Sequence, residues 1–119
     1  MAQHNELGKK GEQLAIDFLI EKGYTIVERN YRYQKAEIDI IAQKEEVLAV
    51  IEVKTRSTDY FGNPEEFVNP KKIKLLTLAM DNYVTEKDVD VEVRFDIIAI
   101  TKITADFKIE HIKDAFLFF

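Results

Sequence analysis

Three charged residues on two neighbouring apolar segments carry the strongest chemical signal in this chain. The run Val47 to Val53 is almost continuously apolar, as expected of a strand buried in the middle of a sheet. Glu52 and Lys54 interrupt its end. A buried strand holds such groups only when they are paired or functional. Being two residues apart, they project from the same face, about 7 Å from one another. Just upstream, Ala36 to Ala42 alternates weakly, with Glu37 and Asp39 on one face and Ile38 and Ile40 on the other. The polar break Gln43 to Glu46 separates the two runs, so they should form an antiparallel hairpin.

Residues opposite one another in a hairpin share a face. A four-residue loop would set Asp39 directly across from Glu52. A two-residue loop would set Glu37 there, with Asp39 one diagonal away. Either register gathers two or three carboxylates and one ammonium on one patch of sheet. Two close carboxylates repel unless a cation sits between them. Mg²⁺ or Mn²⁺ would supply that cation and polarise a phosphate oxygen, which suits phosphodiester hydrolysis. The Lys54 ammonium could orient or help deprotonate the attacking water, or stabilise developing negative charge. The backbone carbonyl of Val53, between the two side chains, is a further candidate ligand.

Composition narrows the chemistry in the same direction. The chain has 119 residues, no cysteine and two histidines. The missing cysteines exclude disulfide scaffolds, thiol catalysis and thiolate-bound metals, so a metal here should be hard and oxygen-ligated. The length is that of one domain, spanning 1–119. At this size about two thirds of the chain's surface is buried on folding, enough for one core without staples. No apolar run approaches a membrane span and the first residues lack a signal peptide's apolar stretch, so a cytoplasmic protein is expected. The net charge of −5 argues against a surface that binds nucleic acid everywhere, but not against a local basic strip.

The elements that must position these residues read in the order α-β-β-β-α-β, with a short further strand. Asn5 to Lys22 is a helix with Leu7, Gly11, Leu14, Ala15, Phe18 and Leu19 on one arc, Glu12 at its edge and Gly23 as a stop. Tyr24 to Arg32 is the first strand and the hairpin supplies two more. Arg56 to Val68 is an irregular loop. Asn69 caps a second helix with Pro70 in its first turn, and Ile73, Leu76, Ala79, Met80 and Tyr83 form its apolar stripe. Val91 to Ile100 is a β-branched strand, Phe107 to Ile112 a short final one, and Asp114 to Phe119 an apolar tail. A strand, a helix and a strand imply a parallel right-handed crossover. The fold class is therefore α/β, a mixed sheet flanked by helices.

Glu37-Ile38-Asp39-Ile40-Ile41 followed by Val50-Ile51-Glu52-Val53-Lys54-Thr55-Arg56 resembles the PD-(D/E)xK nuclease superfamily. The closer likeness is to the YraN family of bacterial proteins, similar in fold to restriction endonucleases and archaeal Holliday junction resolvases. Gly8-x-x-Gly11-Glu12 with Ala15, Gly23-Tyr24, Arg29-Asn30, Val68 with Lys72, Arg94-Phe95-Asp96 and Ala115-Phe116 extend it over nearly the whole chain. The resemblance implies a restriction endonuclease-like αβββαβ core. It also implies that Asp39 and Glu52 bind metal, that Lys54 is catalytic and that Glu12 completes a resolvase-like site acting on DNA. Ile38 stands where the superfamily name has Pro.

Secondary signals fit around this reading. Lys9, Lys10, Arg29, Arg32, Lys54, Arg56, Lys71, Lys72 and Lys74 could form a basic rim for nucleic acid. Lys71 and Lys72 sit at a helix N-terminus, where the dipole disfavours cations but welcomes a phosphate. Glu86, Asp88, Asp90 and Glu92 should face away from it. Gly8 and Gly11 should let the first helix approach the sheet closely. Tyr60 and Phe61 could stack on bases but should rather pack on the body or a subunit partner, Arg94 and Asp96 should pair, and His4 and His111 should be surface or satisfied residues. Symmetric cutting of a four-way junction needs two sites, and a two-fold dimer through the Phe116 to Phe119 tail would provide them.

Overall fold

In the computed structural model of the chain, residues 2–56 and 69–115 are described. The expected loop tip with Tyr60 and Phe61, and the Phe116 to Phe119 tail, lie outside them. The elements are α1 (Ala2–Glu21), β1 (Thr25–Tyr33), β2 (Ala36–Lys44), β3 (Val47–Arg56), α2 (Pro70–Lys87), β4 (Glu92–Ile103) and β5 (Asp106–Ile112). This is the αβββαβ order expected for an endonuclease-like core, with one strand added. The five strands form one mixed sheet in the order β1-β2-β3-β4-β5. Only the β3–β4 pair is parallel, as the crossover through α2 requires. Among the described residues, no helix is long and apolar enough to cross a membrane.

The helix ends follow local rules. Gly23 takes a left-handed φ of 98° after α1. There the Gly23 N–H reaches Ile20 O at 3.0 Å and the Tyr24 N–H reaches Leu19 O at 2.9 Å. Asn69 caps α2, its side chain accepting from the Lys72 N–H at 2.8 Å with Pro70 in the first turn.

Each helix covers one face. Ala15, Ile16 and Leu19 of α1 pack with Ile40, Ala42, Ala49, Ile51, Ile98 and Ile100. On the other face Leu76, Ala79, Met80 and Tyr83 of α2 pack with Ile38, Ile41, Leu48, Val50 and Phe95. Ile38 and Ile40 therefore lie on opposite faces, correcting the simple alternation read from the sequence. The break falls at Asp39. The β1–β2 ladder pairs Tyr31 with Ile38 and Arg29 with Ile40 but omits Asn30 and Asp39 between them, and Asn30 has a φ of 53°.

The hairpin register puts Ile40 opposite Ile51 and Lys44 opposite Val47, so the connection is the two-residue turn Glu45–Glu46. Asp39 and Glu52 are the next positions along. That is the register expected of a four-residue loop, reached here through a shorter turn. The register is the same in both because a four-residue loop of that register already pairs Gln43 with Leu48; here Lys44 also pairs with Val47, and Glu45 takes a φ of 55°.

Beside the core, Arg94 and Asp96 form the expected ion pair, with Nη2 to Oδ2 at 2.8 Å. Asp96 is fully buried. His111 Nε2 lies 2.8 Å from the same carboxylate, and the Asp114 N–H donates to it at 3.0 Å. Arg94 also donates to the Tyr24 hydroxyl at 2.7 Å, tying the end of α1 to β4 and β5.

Of the two glycines on α1, only Gly11 serves close approach among the described residues. A Cβ there would run into the Thr55 side chain on β3, whose branch point is fixed to the backbone. At Gly8 an added Cβ would meet nothing within 4 Å among the described residues, against expectation. Gly11→Ala should lower stability by about 1–3 kcal/mol through overpacking, despite a gain of about 1 kcal/mol in helix propensity. Urea denaturation checks this, and an unchanged midpoint would mean that α1 does not depend on this contact.

Candidate active site

The β2–β3 ladder runs as far as Ile40 and Ile51. Beyond it, the Val53 N–H donates to Asp39 Oδ2 at 2.9 Å. A side-chain oxygen thus takes a backbone donor of β3, and it anchors the Asp39 carboxylate against that strand. Asp39 lies between two other acids. On one side, the electric field of Asp39 reaches Glu12 on α1. On the other it reaches Glu52 on β3.

An open cleft of about 280 Å³ is lined by Leu7, Gly8, Glu12, Asp39, Val53, Lys54 and Thr55. The structure therefore brings Glu12, Asp39 and Lys54 together, with the Val53 backbone beside them. Glu52 follows Ile51, which packs against α1, and it alternates onto the α2 face. There its Oε2 meets Lys72 Nζ at 2.9 Å. The Glu52 side chain is only 5% exposed, and its Oε1 is buried with no hydrogen-bond partner among the described residues.

The electrostatics follow from this crowding. Burial, then the Asp39 charge, push Glu52 from an ordinary 4.5 to about 7, against the opposing pull of Lys72 and Lys54. Burial raises Asp39, outweighing the stabilising Val53 N–H. Glu12 is also raised, by burial and by Asp39, while Arg29 and a hydrogen bond from Asn30 lower it. For Lys72, burial works against the ammonium, but the bond to Glu52 and the fields of Glu52 and Asp39 prevail and hold it above its usual value.

The remaining basic residues are more dispersed. Lys9, Lys10, Arg29 and Lys71 are exposed, and Arg32 pairs with Glu37 at 3.5 Å. Arg56 ends β3, and Lys74 lines an apolar cleft with Pro70 and Ile73. Lys72 departs from the expected rim because its ammonium is committed to Glu52. Lys72 was read as part of the basic rim, and its pairing with Glu52 was not foreseen, although a lysine in a helix's first turn, where the dipole disfavours it, was a signal. Asn30, beside Glu12, had none beyond its place in the family-like motif.

Among the described residues, no three His, Asp or Glu side chains are grouped to hold a metal by themselves. The donors that fit are the carboxylates of Asp39 and Glu52 and the Val53 carbonyl. The unpartnered Glu52 oxygen favours an added cation. An all-oxygen set with one or two carboxylates suits a cation that keeps water and phosphate in its other positions.

The raised Glu52 fixes a pH dependence. Between pH 4.5 and about 7 the folded chain keeps a proton that the unfolded chain has lost, so stability falls as pH rises through that window. Glu52→Gln removes the penalty. Without divalent cations it should be more stable than the parent at pH 8, by on the order of 1–3 kcal/mol, with the gap closing near pH 4.5. Melting curves across this range check it, and a variant less stable at pH 8 would mean that the Lys72 pair outweighs the crowding.

The chain resembles known proteins along its length. The profile of "Uncharacterised protein family UPF0102" matches residues 11–100. A UPF0102 protein of Christiangramia forsetii is 62% identical across the full length of both chains. One from Flavobacterium psychrophilum is 58% identical, again over all of both. One from Bacteroides thetaiotaomicron is 50% identical over 98% of this chain and 96% of its own. With its endonuclease-like core and full-length matches, this chain belongs to the UPF0102 family, the YraN family its motifs resemble.

Proposed function

We propose that the chain is a divalent-metal-dependent endonuclease acting on DNA, with branched DNA such as a four-way junction as the substrate class its resolvase-like motifs suggest. The observation that carries this reading is the buried Glu52 carboxylate, one oxygen without a partner, next to Asp39 and Lys54 where β2 and β3 part. A carboxylate kept so crowded and incompletely satisfied is costly in a purely structural role.

Asp39, Glu52 and the Val53 carbonyl would hold Mg²⁺ or Mn²⁺. When bound, such a cation supplies Lewis-acid polarisation of a phosphate oxygen and acidifies a bound water. The Val53 N–H fixes the Asp39 carboxylate, and Lys72 orients Glu52. Lys54, lining the cleft, supplies an ammonium for the water or for charge gathering on the phosphate. Glu12, its carboxyl raised above the ordinary range, faces the same cleft and can accept or hold a proton from that water. A two-fold dimer would carry the two sites that symmetric junction cutting needs.

One observation favours a rival. Lys72 already neutralises Glu52, which would suit a nucleic-acid-binding module without turnover. A cleavage panel separates the two readings, using single-strand, duplex, flap and four-way-junction DNA with RNA counterparts. Cleavage should require Mg²⁺ or Mn²⁺ and stop in chelator. Lys54→Ala should lose about 10²–10³ in rate yet still bind Mn²⁺ in calorimetry, whereas Glu52→Ala should lose both. Salt-dependent binding with no cleavage of any substrate would select the rival.

A further inference from the structure

Gly8 is an expensive residue with no internal reason. It lies well inside the 20-residue helix α1, where glycine is destabilising relative to alanine. Gly11, one turn on, has a steric reason in Thr55. Gly8 has none among the described residues, where an added Cβ would meet nothing within 4 Å. It lies instead on the wall of the cleft that also holds Glu12, Asp39 and Lys54. Glu12, four residues on, shares its helical face.

The geometry points to Gly8 as the position where a nucleic-acid strand lies directly against the backbone of α1 on its way to Asp39 and Lys54. This rests on the nuclease reading and adds to it the path of the substrate. A bare glycine lets a sugar–phosphate chain reach van der Waals contact with the helix, which a side chain would prevent. The surroundings suit that chain. Leu7, on the same cleft wall, offers an apolar surface for a sugar. The strand then meets β3 at Val53 to Thr55 on the opposite wall. Gly8 is a positioning residue, acting through the space it leaves.

The test separates stability from binding. Gly8→Ala and Gly8→Leu replace glycine with strong helix formers, so Gly8→Ala should raise the melting temperature by about 2–5 °C. Affinity for fluorescently labelled junction and single-strand DNA, measured in chelator, should nevertheless fall by about threefold for Ala and tenfold or more for Leu, as a steric block would cause. Calorimetric Mn²⁺ affinity should not change. If Gly8→Ala and Gly8→Leu bind and cut DNA like a cleaving parent, the inference is wrong while the nuclease reading stands. A clear fall in the melting temperature of Gly8→Ala would also overturn it, by showing that the glycine serves the fold. If the parent neither binds nor cleaves any DNA offered, the reading fails and this inference falls with it.

Discussion

The hydrogen bond from the Val53 N–H to Asp39 Oδ2 is the interaction on which the site depends. Backbone donors near a sheet need partners, and here an aspartate side chain supplies one beyond the last rung of the β2–β3 ladder. Three features meet at this point. The β1–β2 pairing skips Asn30 and Asp39, and Ile38 and Ile40 divide between the two cores. The Asp39 carboxylate is held between Glu12 on the α1 side and Glu52 on the α2 side. A regular strand would have hidden one acid from the other across the sheet.

Two buried acids in this small domain show how surroundings decide the role of a charge. Asp96 is fully buried, yet Arg94, His111 and the Asp114 N–H satisfy it. Although burial opposes ionisation, those hydrogen bonds hold its carboxyl below the ordinary range. That network locks the end of α1 to β4 and β5. Glu52 is nearly as buried, but it has one oxygen on Lys72, another with no partner and the Asp39 charge close by. Its carboxyl is pushed up instead. The first arrangement is closed. The second is open to a further cation.

Much of this was legible in the residues. Glu52 and Lys54 stood out because charge breaks an apolar strand, and Asn69-Pro70 marked the start of α2 because cap chemistry is local. The parallel β3–β4 pair followed from a helix-length connection. What stayed hidden depended on contacts distant in sequence. Nothing periodic marks a strand whose faces change at Asp39, where the β1–β2 ladder skips a rung and Asn30 takes a left-handed φ. The Lys72–Glu52 pair joins two elements whose relative placement only tertiary packing sets. Gly8 and Gly11 look alike in a helical pattern, and only the nearness of Thr55 tells them apart.

The central claim is that the open end of β2 and β3 is a divalent-cation site. Anomalous diffraction from crystals of the full chain soaked in Mn²⁺ tests it most directly. The account expects one strong peak ligated by the side chains of Asp39 and Glu52 and the Val53 carbonyl, with Lys72 Nζ drawn away from Glu52. No peak there at saturating Mn²⁺, with Lys72 still on Glu52, would contradict it.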